Sequence, residues 1–133
     1  MSEKARQEQR KFVRVESSLP VRYKFISSNP DFSDDRVHEG RTDNIGAGGL
    51  LLAGQVPGVE WITELLMEKV LLAVTIDVAG SKVKAIARVA WLEAIDQNTE
   101  VCQLGLTFKE ITGENRDRIL DFVIKAHAPD ESE

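Results

Sequence analysis

The amino-acid sequence predicts a mainly β protein, a small six-stranded antiparallel β-barrel with a C-terminal α-helix. Apolar residues alternate with polar ones in several short segments, short turns connect those segments, and one amphipathic pattern with helical spacing stands near the C-terminus. The 133 residues suffice for one domain. A hydrophobic content of 42% with 29% charged residues is typical of a folded globular chain.

Six segments are predicted to be strands, and four of them, at residues 19–25, 70–78, 83–91 and 101–108, carry the period-two pattern of a strand with one buried face. The six segments cover residues 19–25, 37–44, 50–53, 70–78, 83–91 and 101–108. The glycines at 46, 48 and 49 predict a tight turn or bulge where the backbone approaches another group closely. Short polar turns at residues 79–81 and 95–100 predict that the last three strands form a meander.

Two segments have helical spacing. Thr112 is expected to cap a C-terminal helix whose apolar residues recur at i, i+3, i+4 and i+7, namely Ile119, Phe122, Val123 and Ala126. Residues 58–69 fit a short helix. The polar residues 27–40 predict a long exposed connection. Trp61 and Trp91 are expected to pack in the core or against a helix rather than to stack on bases.

The ends of the chain differ from the centre in composition. We expect residues 1–9 to form a flexible N-terminal tail, residues 10–127 the domain and residues 128–133 an acidic C-terminal tail. No apolar run approaches the ~20 residues that cross a bilayer, and the charged N-terminus lacks the apolar stretch of a signal peptide. The sequence therefore predicts a cytoplasmic protein without membrane insertion.

Several function classes are disfavoured by composition. One cysteine, Cys102, and two histidines supply no usual metal-ligand spacing, and no Ser/His/Asp or Cys/His set indicates an enzyme or a bound cofactor. The net charge of -5 argues against a DNA- or RNA-binding protein. Residues 1–24 nevertheless carry +4 and the remainder -9, so the N-terminal end suits a small anionic ligand.

Two motifs stand in a suggestive order. RKFVR at residues 10–14 has the form RxxxR, and NIGAGG follows at residues 44–49. This pair resembles the RxxxR and (D/N)xSxxG elements of the PilZ domain family. ARVAW at residues 87–91 is similar to the family's RVxW strand, and LGLTF at residues 104–108 is similar to its GxxF strand. The resemblance extends over residues 10–126.

The resemblance implies a PilZ-like barrel that acts as a receptor or adaptor for cyclic di-GMP in bacterial signalling. The implied ligand-binding residues are Arg10, Arg14, Asn44, Gly46 and Gly49. A guanidinium group can fork onto a phosphate, bind guanine O6 and N7, or stack on a purine. The ligand is expected to order the RxxxR segment onto the barrel, and a separate downstream protein is expected to recognise the resulting surface.

Other interpretations stay open at this level. Taken by residue type, Arg10 and Arg14 fit solvated tail charges equally well, Asn44 fits an Asx-turn, and the glycines fit a bulge. Gly46 stands where the motif usually has Ser, a loss of about 1 kcal/mol in hydrogen bonding. Gln9 replaces a second Arg of many relatives. The alternative is a degenerate PilZ-like interaction adaptor that does not bind nucleotide.

Overall fold

The computed structural model describes residues 14–96 and 101–127, and the elements below belong to this part of the chain. The strands are β1 (Arg14–Glu16), β2 (Pro20–Ile26), β3 (His38–Gly46), β4 (Gly49–Gln55), β5 (Leu71–Val78), β6 (Ser81–Asp96) and β7 (Val101–Ile111). The helices are α1 (Trp61–Leu66) and α2 (Gly113–His127), with a 3-10 turn at Pro30–Phe32. All six predicted strands and both predicted helices are confirmed, and β1 is an additional strand.

Antiparallel pairing closes the sheet into a barrel. The strand order is β1-β3-β2-β5-β6-β7-β4, and β4 also pairs with β3, so six strands form a ring. The short β1 lies outside this ring and pairs with the end of β3. A closed ring leaves no open edge among its members. The predicted six-stranded antiparallel β-barrel with a C-terminal helix is therefore confirmed.

The hairpin between β5 and β6 has the tightest turn in the meander. Val78 pairs with Ser81, which leaves Ala79 and Gly80 as the turn residues. Their φ angles are 50° and 88°. Two successive positive φ values are what a type I′ turn requires, and its twist matches that of the flanking strands. The predicted short hairpin is confirmed.

The core fills the inside of the barrel because the strand alternation places every second side chain there. On β2, Val21, Tyr23 and Phe25 are buried, while Arg22 and Lys24 between them are exposed. The buried side chains of the other strands join them in one continuous cluster. The barrel interior is thus a packed core and leaves the outer face for ligand binding.

Helix α2 adds its apolar stripe to this cluster. Ile119 and Val123, four residues apart, are both buried, and Phe122 packs partly against the core. The backbone N–H of Asn115 donates to Thr112 Oγ1 over 3.1 Å, which satisfies one of the free N–H groups of the first turn. The predicted cap at Thr112 is confirmed, and the apolar face is confirmed at Ile119, Phe122 and Val123, whereas Ala126 is exposed.

Aromatic contacts attach the connection between β2 and β3 to the barrel. The Phe32 ring meets Trp61 edge to face with centroids 5.2 Å apart, and Trp61 meets Phe25 at 5.4 Å. His38 stacks on Tyr23 with centroids 5.3 Å apart. Trp61 is buried, as predicted. The polar connection predicted from the sequence is therefore anchored at Phe32 and at His38.

A carboxylate shapes the end of the same connection. Asp34 Oδ1 accepts hydrogen bonds from the backbone N–H of Arg36 at 2.9 Å and from Arg36 Nε at 3.2 Å. Asp34 Oδ2 lies 2.9 Å from His38 Nε2. Burial raises the pKa of Asp34, but the hydrogen bonds from Arg36 and His38 outweigh it and lower the pKa to about 2. The ionised carboxylate therefore holds Arg36 and His38 in place.

Tyr23 joins β2 to β4 inside the barrel. Its hydroxyl donates to the carbonyl of Gln55 over 2.8 Å and accepts from the Gln55 N–H over 2.8 Å. A Cβ at Gly54 would lie only 2.5 Å from the Tyr23 oxygen, so Gly54 leaves the room that the hydroxyl needs. Burial raises the pKa of Tyr23 to about 12, which keeps the hydroxyl protonated as a donor.

We expect Tyr23→Phe to lower the free energy of unfolding by about 1–3 kcal/mol, because the two hydrogen bonds between the Tyr23 hydroxyl and the Gln55 backbone are lost. Urea unfolding followed by tryptophan fluorescence measures this change. The dependence on urea concentration should stay that of the wild type, since the amount of buried surface is unchanged. A stability equal to that of the wild type would contradict this role of the hydroxyl.

Candidate functional site

The structure brings four of the five predicted site residues, Arg14, Asn44, Gly46 and Gly49, together where β3 turns into β4. In the pairing of β1 with β3, Arg14 lies opposite Gly46. The Arg14 Nη1 donates to Asn44 Oδ1 over 3.5 Å, a long and weak contact. Arg10 lies outside the described residues, as do the predicted tails at 1–9 and 128–133. A guanidinium, an amide and a glycine turn thus meet on one patch of surface.

The link between β1 and β2 is fixed by side chains of β3 that the sequence analysis missed. Thr42 is fully buried, and its hydroxyl accepts from the Leu19 N–H over 2.9 Å while donating to the Ser17 carbonyl. Arg41 Nη2 donates to the carbonyl of Ser18 over 2.9 Å. These bonds hold β1 beside β3, and Arg14 is thereby positioned near Asn44. A lone Thr in a polar stretch gives no local sign of this role.

The glycine-rich turn joins β3 to β4 with two residues, Ala47 and Gly48, between the paired Gly46 and Gly49. An ideal Cβ on Gly49 would lie 1.9 Å from the Leu106 carbonyl oxygen, well inside any real contact. The Gly48 carbonyl accepts from the Phe108 N–H over 2.9 Å. The close approach at Gly49 is therefore to the backbone of β7.

Trp91 lies on the outer face of the barrel, so the prediction that it packs in the core is wrong. Its side chain is 43% exposed. Alternation along β6 would point it inward, but a bulge between Val89 and Trp91 shifts the pattern and turns the indole outward. The ring covers Gly105, where a Cβ would lie 2.2 Å from the indole Nε1.

Cross-strand pairing connects this indole with the predicted site. Asn44 pairs with Leu51, Leu51 with Gly105, and Gly105 with Trp91. Directly paired residues of antiparallel strands point to the same face, so these four positions form one row across the outside of the barrel. We call this row together with Arg14 and Gly46 the β3 face. It offers a cation, an amide and an exposed aromatic ring.

Within residues 14–96 and 101–127, no group of three or more His, Cys, Asp or Glu side chains is placed to hold a metal ion. Cys102 is buried. Over the same ranges, no helix is long and apolar enough to cross a bilayer.

Solved structures share this architecture. The chain aligns with the Bacillus subtilis inhibitor of motility MotI/DgrA (TM-score 0.65, 18% identity, 89% of this chain and 50% of the other). It aligns with the PilZ domain of YcgR from Escherichia coli, solved with c-di-GMP (TM-score 0.58, 11% identity, 88% and 90%). It also aligns with MrkH, described as a c-di-GMP-dependent transcription regulatory factor (TM-score 0.60, 14% identity, 89% and 51%).

These likenesses concern the fold. The chain spans about half the length of MotI/DgrA and of MrkH. No match was found among curated protein sequences. The family model described as PilZ domain, however, matches residues 8–125, which is most of the sequence. The chain therefore belongs to the PilZ domain family.

Proposed function

We propose that this protein is a receptor for cyclic di-GMP that signals by contacting another protein and does not itself catalyse a reaction. The observation that carries the proposal is the placement of the Arg14 guanidinium beside Asn44 and opposite Gly46 on the β3 face. The YcgR structure named above contains c-di-GMP, and MrkH was also solved as a c-di-GMP complex. A cytoplasmic location is part of this proposal.

The chemistry of the β3 face suits a purine dinucleotide with two phosphates. Arg14 can fork onto a phosphate or onto guanine O6 and N7, and the Asn44 amide can pair with a base edge. The outward indole of Trp91 can stack on a guanine, a contact worth about 1–3 kcal/mol per base in other nucleic-acid binding proteins. Arg10 would supply the second cation that one guanidinium alone does not give.

We expect cyclic di-GMP to order a shorter segment than the whole RxxxR motif. Arg14 already begins β1 and is paired with β3. The ordering expected on binding therefore concerns the residues before it, with Arg10 drawn onto the face that Arg14 starts. The covered face would then present a new surface to a partner.

Isothermal titration calorimetry with cyclic di-GMP tests the proposal. GMP is the control, because it lacks the second guanine and the cyclic ribose-phosphate linkage. We expect saturable heat from cyclic di-GMP and far weaker heat from GMP. The rival candidate, an adaptor without nucleotide, has one observation in its favour, the Gly46 that replaces the motif's Ser. Absence of heat at cyclic di-GMP concentrations near 100 micromolar would favour the adaptor that does not bind nucleotide. A dissociation constant of that size corresponds to a binding free energy of about -5.5 kcal/mol.

Gly46→Ser is expected to tighten cyclic di-GMP binding several-fold, since one added hydrogen bond is worth about 1 kcal/mol. The same calorimetric titration measures it. Gly113→Ser, at a glycine where an added Cβ meets nothing within 4 Å, is the control and should bind as the wild type does. An unchanged affinity in Gly46→Ser would place Gly46 outside the nucleotide site.

A further inference from the structure

The outer face of β2, β5 and β6 carries cations in two rows with small side chains between them. Strand pairing aligns Arg22 of β2 with Thr75 of β5, and Thr75 with Lys84 of β6. One step along, Lys24 aligns with Ala73. We call this surface the basic groove. Its volume is about 410 Å³, and it is lined by Arg22, Lys24, Lys82 and Lys84 as well as by Thr75 and Ala73.

The cations of the basic groove are available to a partner. Arg22 Nε lies 3.8 Å from Glu39 Oε1, and the Arg22 side chain is 72% exposed. Lys82 Nζ lies 3.1 Å from Asp77 Oδ2, and the Lys82 side chain is 66% exposed. Ion pairs this exposed contribute little and open readily. Within the part of the chain that the structure describes, Lys24 and Lys84 are exposed and form no ion pair.

The dimensions of the groove favour an extended chain. Neighbouring strands lie about 4.8 Å apart, so the rows on β2 and β6 stand roughly 10 Å apart. Thr75 and Ala73 between them are short and form a low floor. An extended peptide projects successive side chains to opposite sides, and a peptide laid along β5 would therefore reach both rows.

Charge complementarity identifies the chemistry of the occupant. The protein carries a net charge of -5, so a groove with four cationic side chains in its lining departs from the surface as a whole. Glu39 and Asp77 stand beside it as the ion partners of Arg22 and Lys82. A long nucleic acid would bring its phosphates against these carboxylates and against the acidic remainder of the protein. A short acidic peptide avoids both.

We propose that the basic groove binds an extended acidic segment of a partner protein. The acidic side chains on one side of the segment pair with Arg22 and Lys24, and those on the other side pair with Lys82 and Lys84. The groove faces outward from β2, β5 and β6, whereas the β3 face runs across β3, β4, β7 and the far end of β6. The inference therefore does not depend on nucleotide binding.

Fluorescence anisotropy with a fluorescein-labelled peptide of ten Glu residues, which carries carboxylates on both sides when it is extended, tests the proposal. The wild type should bind it saturably at low ionic strength, and Lys24→Glu combined with Lys84→Glu should weaken binding at least tenfold. The matched control combines Lys69→Glu with Lys125→Glu, which changes the net charge equally at exposed lysines elsewhere. The control should bind nearly as the wild type does.

Three results would overturn the proposal: no binding by the wild type, equal loss in both double variants, or tighter binding of a single-stranded oligonucleotide of equal charge than of the peptide. Thermal melting confirms that both double variants are folded, as expected for exposed positions. Cyclic di-GMP titration of the Lys24→Glu, Lys84→Glu variant should match the wild type. Failure of the groove is thereby distinguished from failure of the nucleotide site.

Discussion

Replacing Arg14 with Ala is expected to weaken cyclic di-GMP binding roughly 10- to 100-fold, because hydrogen bonds to a charged group are worth about 1.5–3 kcal/mol. Arg14→Lys should recover only part of this loss. Lysine keeps the positive charge but lacks the planar fork that engages two acceptors at once. Isothermal titration calorimetry on the two variants measures both effects.

The fold should tolerate the loss of Arg14. Residue 14 pairs with Gly46 through its backbone, and alanine has the same backbone groups for that pairing. Arg118→Ala is the matched control, since Arg118 is an exposed arginine on α2 with Glu114 as its ion partner. An Arg14→Ala protein that melts like the wild type and binds cyclic di-GMP with unchanged affinity would contradict the assignment of Arg14.

The second large effect is expected at Gly49. Gly49→Ala should lower the free energy of unfolding by at least about 3 kcal/mol, the range of severe steric defects. The new Cβ would stand 1.9 Å from the backbone oxygen of Leu106, and a backbone oxygen cannot move aside as a flexible side chain does. Strands β4 and β7 would have to separate at the point where Gly49 pairs with Thr107.

Gly113→Ala provides the control for this experiment. An added Cβ at Gly113 meets nothing within 4 Å, so its stability should stay close to that of the wild type. Urea unfolding compares the two variants under the same conditions. Equal stability of Gly49→Ala and Gly113→Ala would contradict the steric role. If that role holds, the last glycine of the motif supports the site through barrel closure and need not touch the ligand.

Much of the barrel could be predicted because its alternation is regular. A closed barrel buries one face of each strand, so inward residues such as Val21 and Tyr23 recur every second position. The C-terminal helix was equally readable, since Thr112 supplies a local cap and Ile119 with Val123 marks a buried stripe. These signals are short-range, and short-range signals survive in a single sequence.

The missed features depend on contacts between distant parts of the chain. The bulge that turns Trp91 outward arises in the pairing of β6 with β7, and the alternation before it gives no warning. Strand β1 forms by pairing with β3. The Thr42 hydroxyl donates to the Ser17 carbonyl, 25 residues away in the sequence, and so fixes the segment that follows β1. The Phe32 ring packs against Trp61, which follows β4 in the sequence. Such pairings become visible only when the chain is folded.

The sequence indicated which residues form the candidate site, and the structure shows which of them lie close together. Arg14 and Asn44 are 30 positions apart, and the pairing of β1 with β3 brings their side chains within 3.5 Å. Trp91 joined the same face only through the bulge. Arg10 lies outside the described residues and stays a prediction from the motif.

The most direct test of the nucleotide site is a titration of ¹⁵N-labelled protein with cyclic di-GMP, followed by NMR chemical shifts. We expect the largest changes at Asn44, at Gly46 and at the indole N–H of Trp91, with smaller changes across the basic groove. The proposed nucleotide site would be contradicted if saturating cyclic di-GMP left these three signals unshifted, or if it shifted only residues of the basic groove.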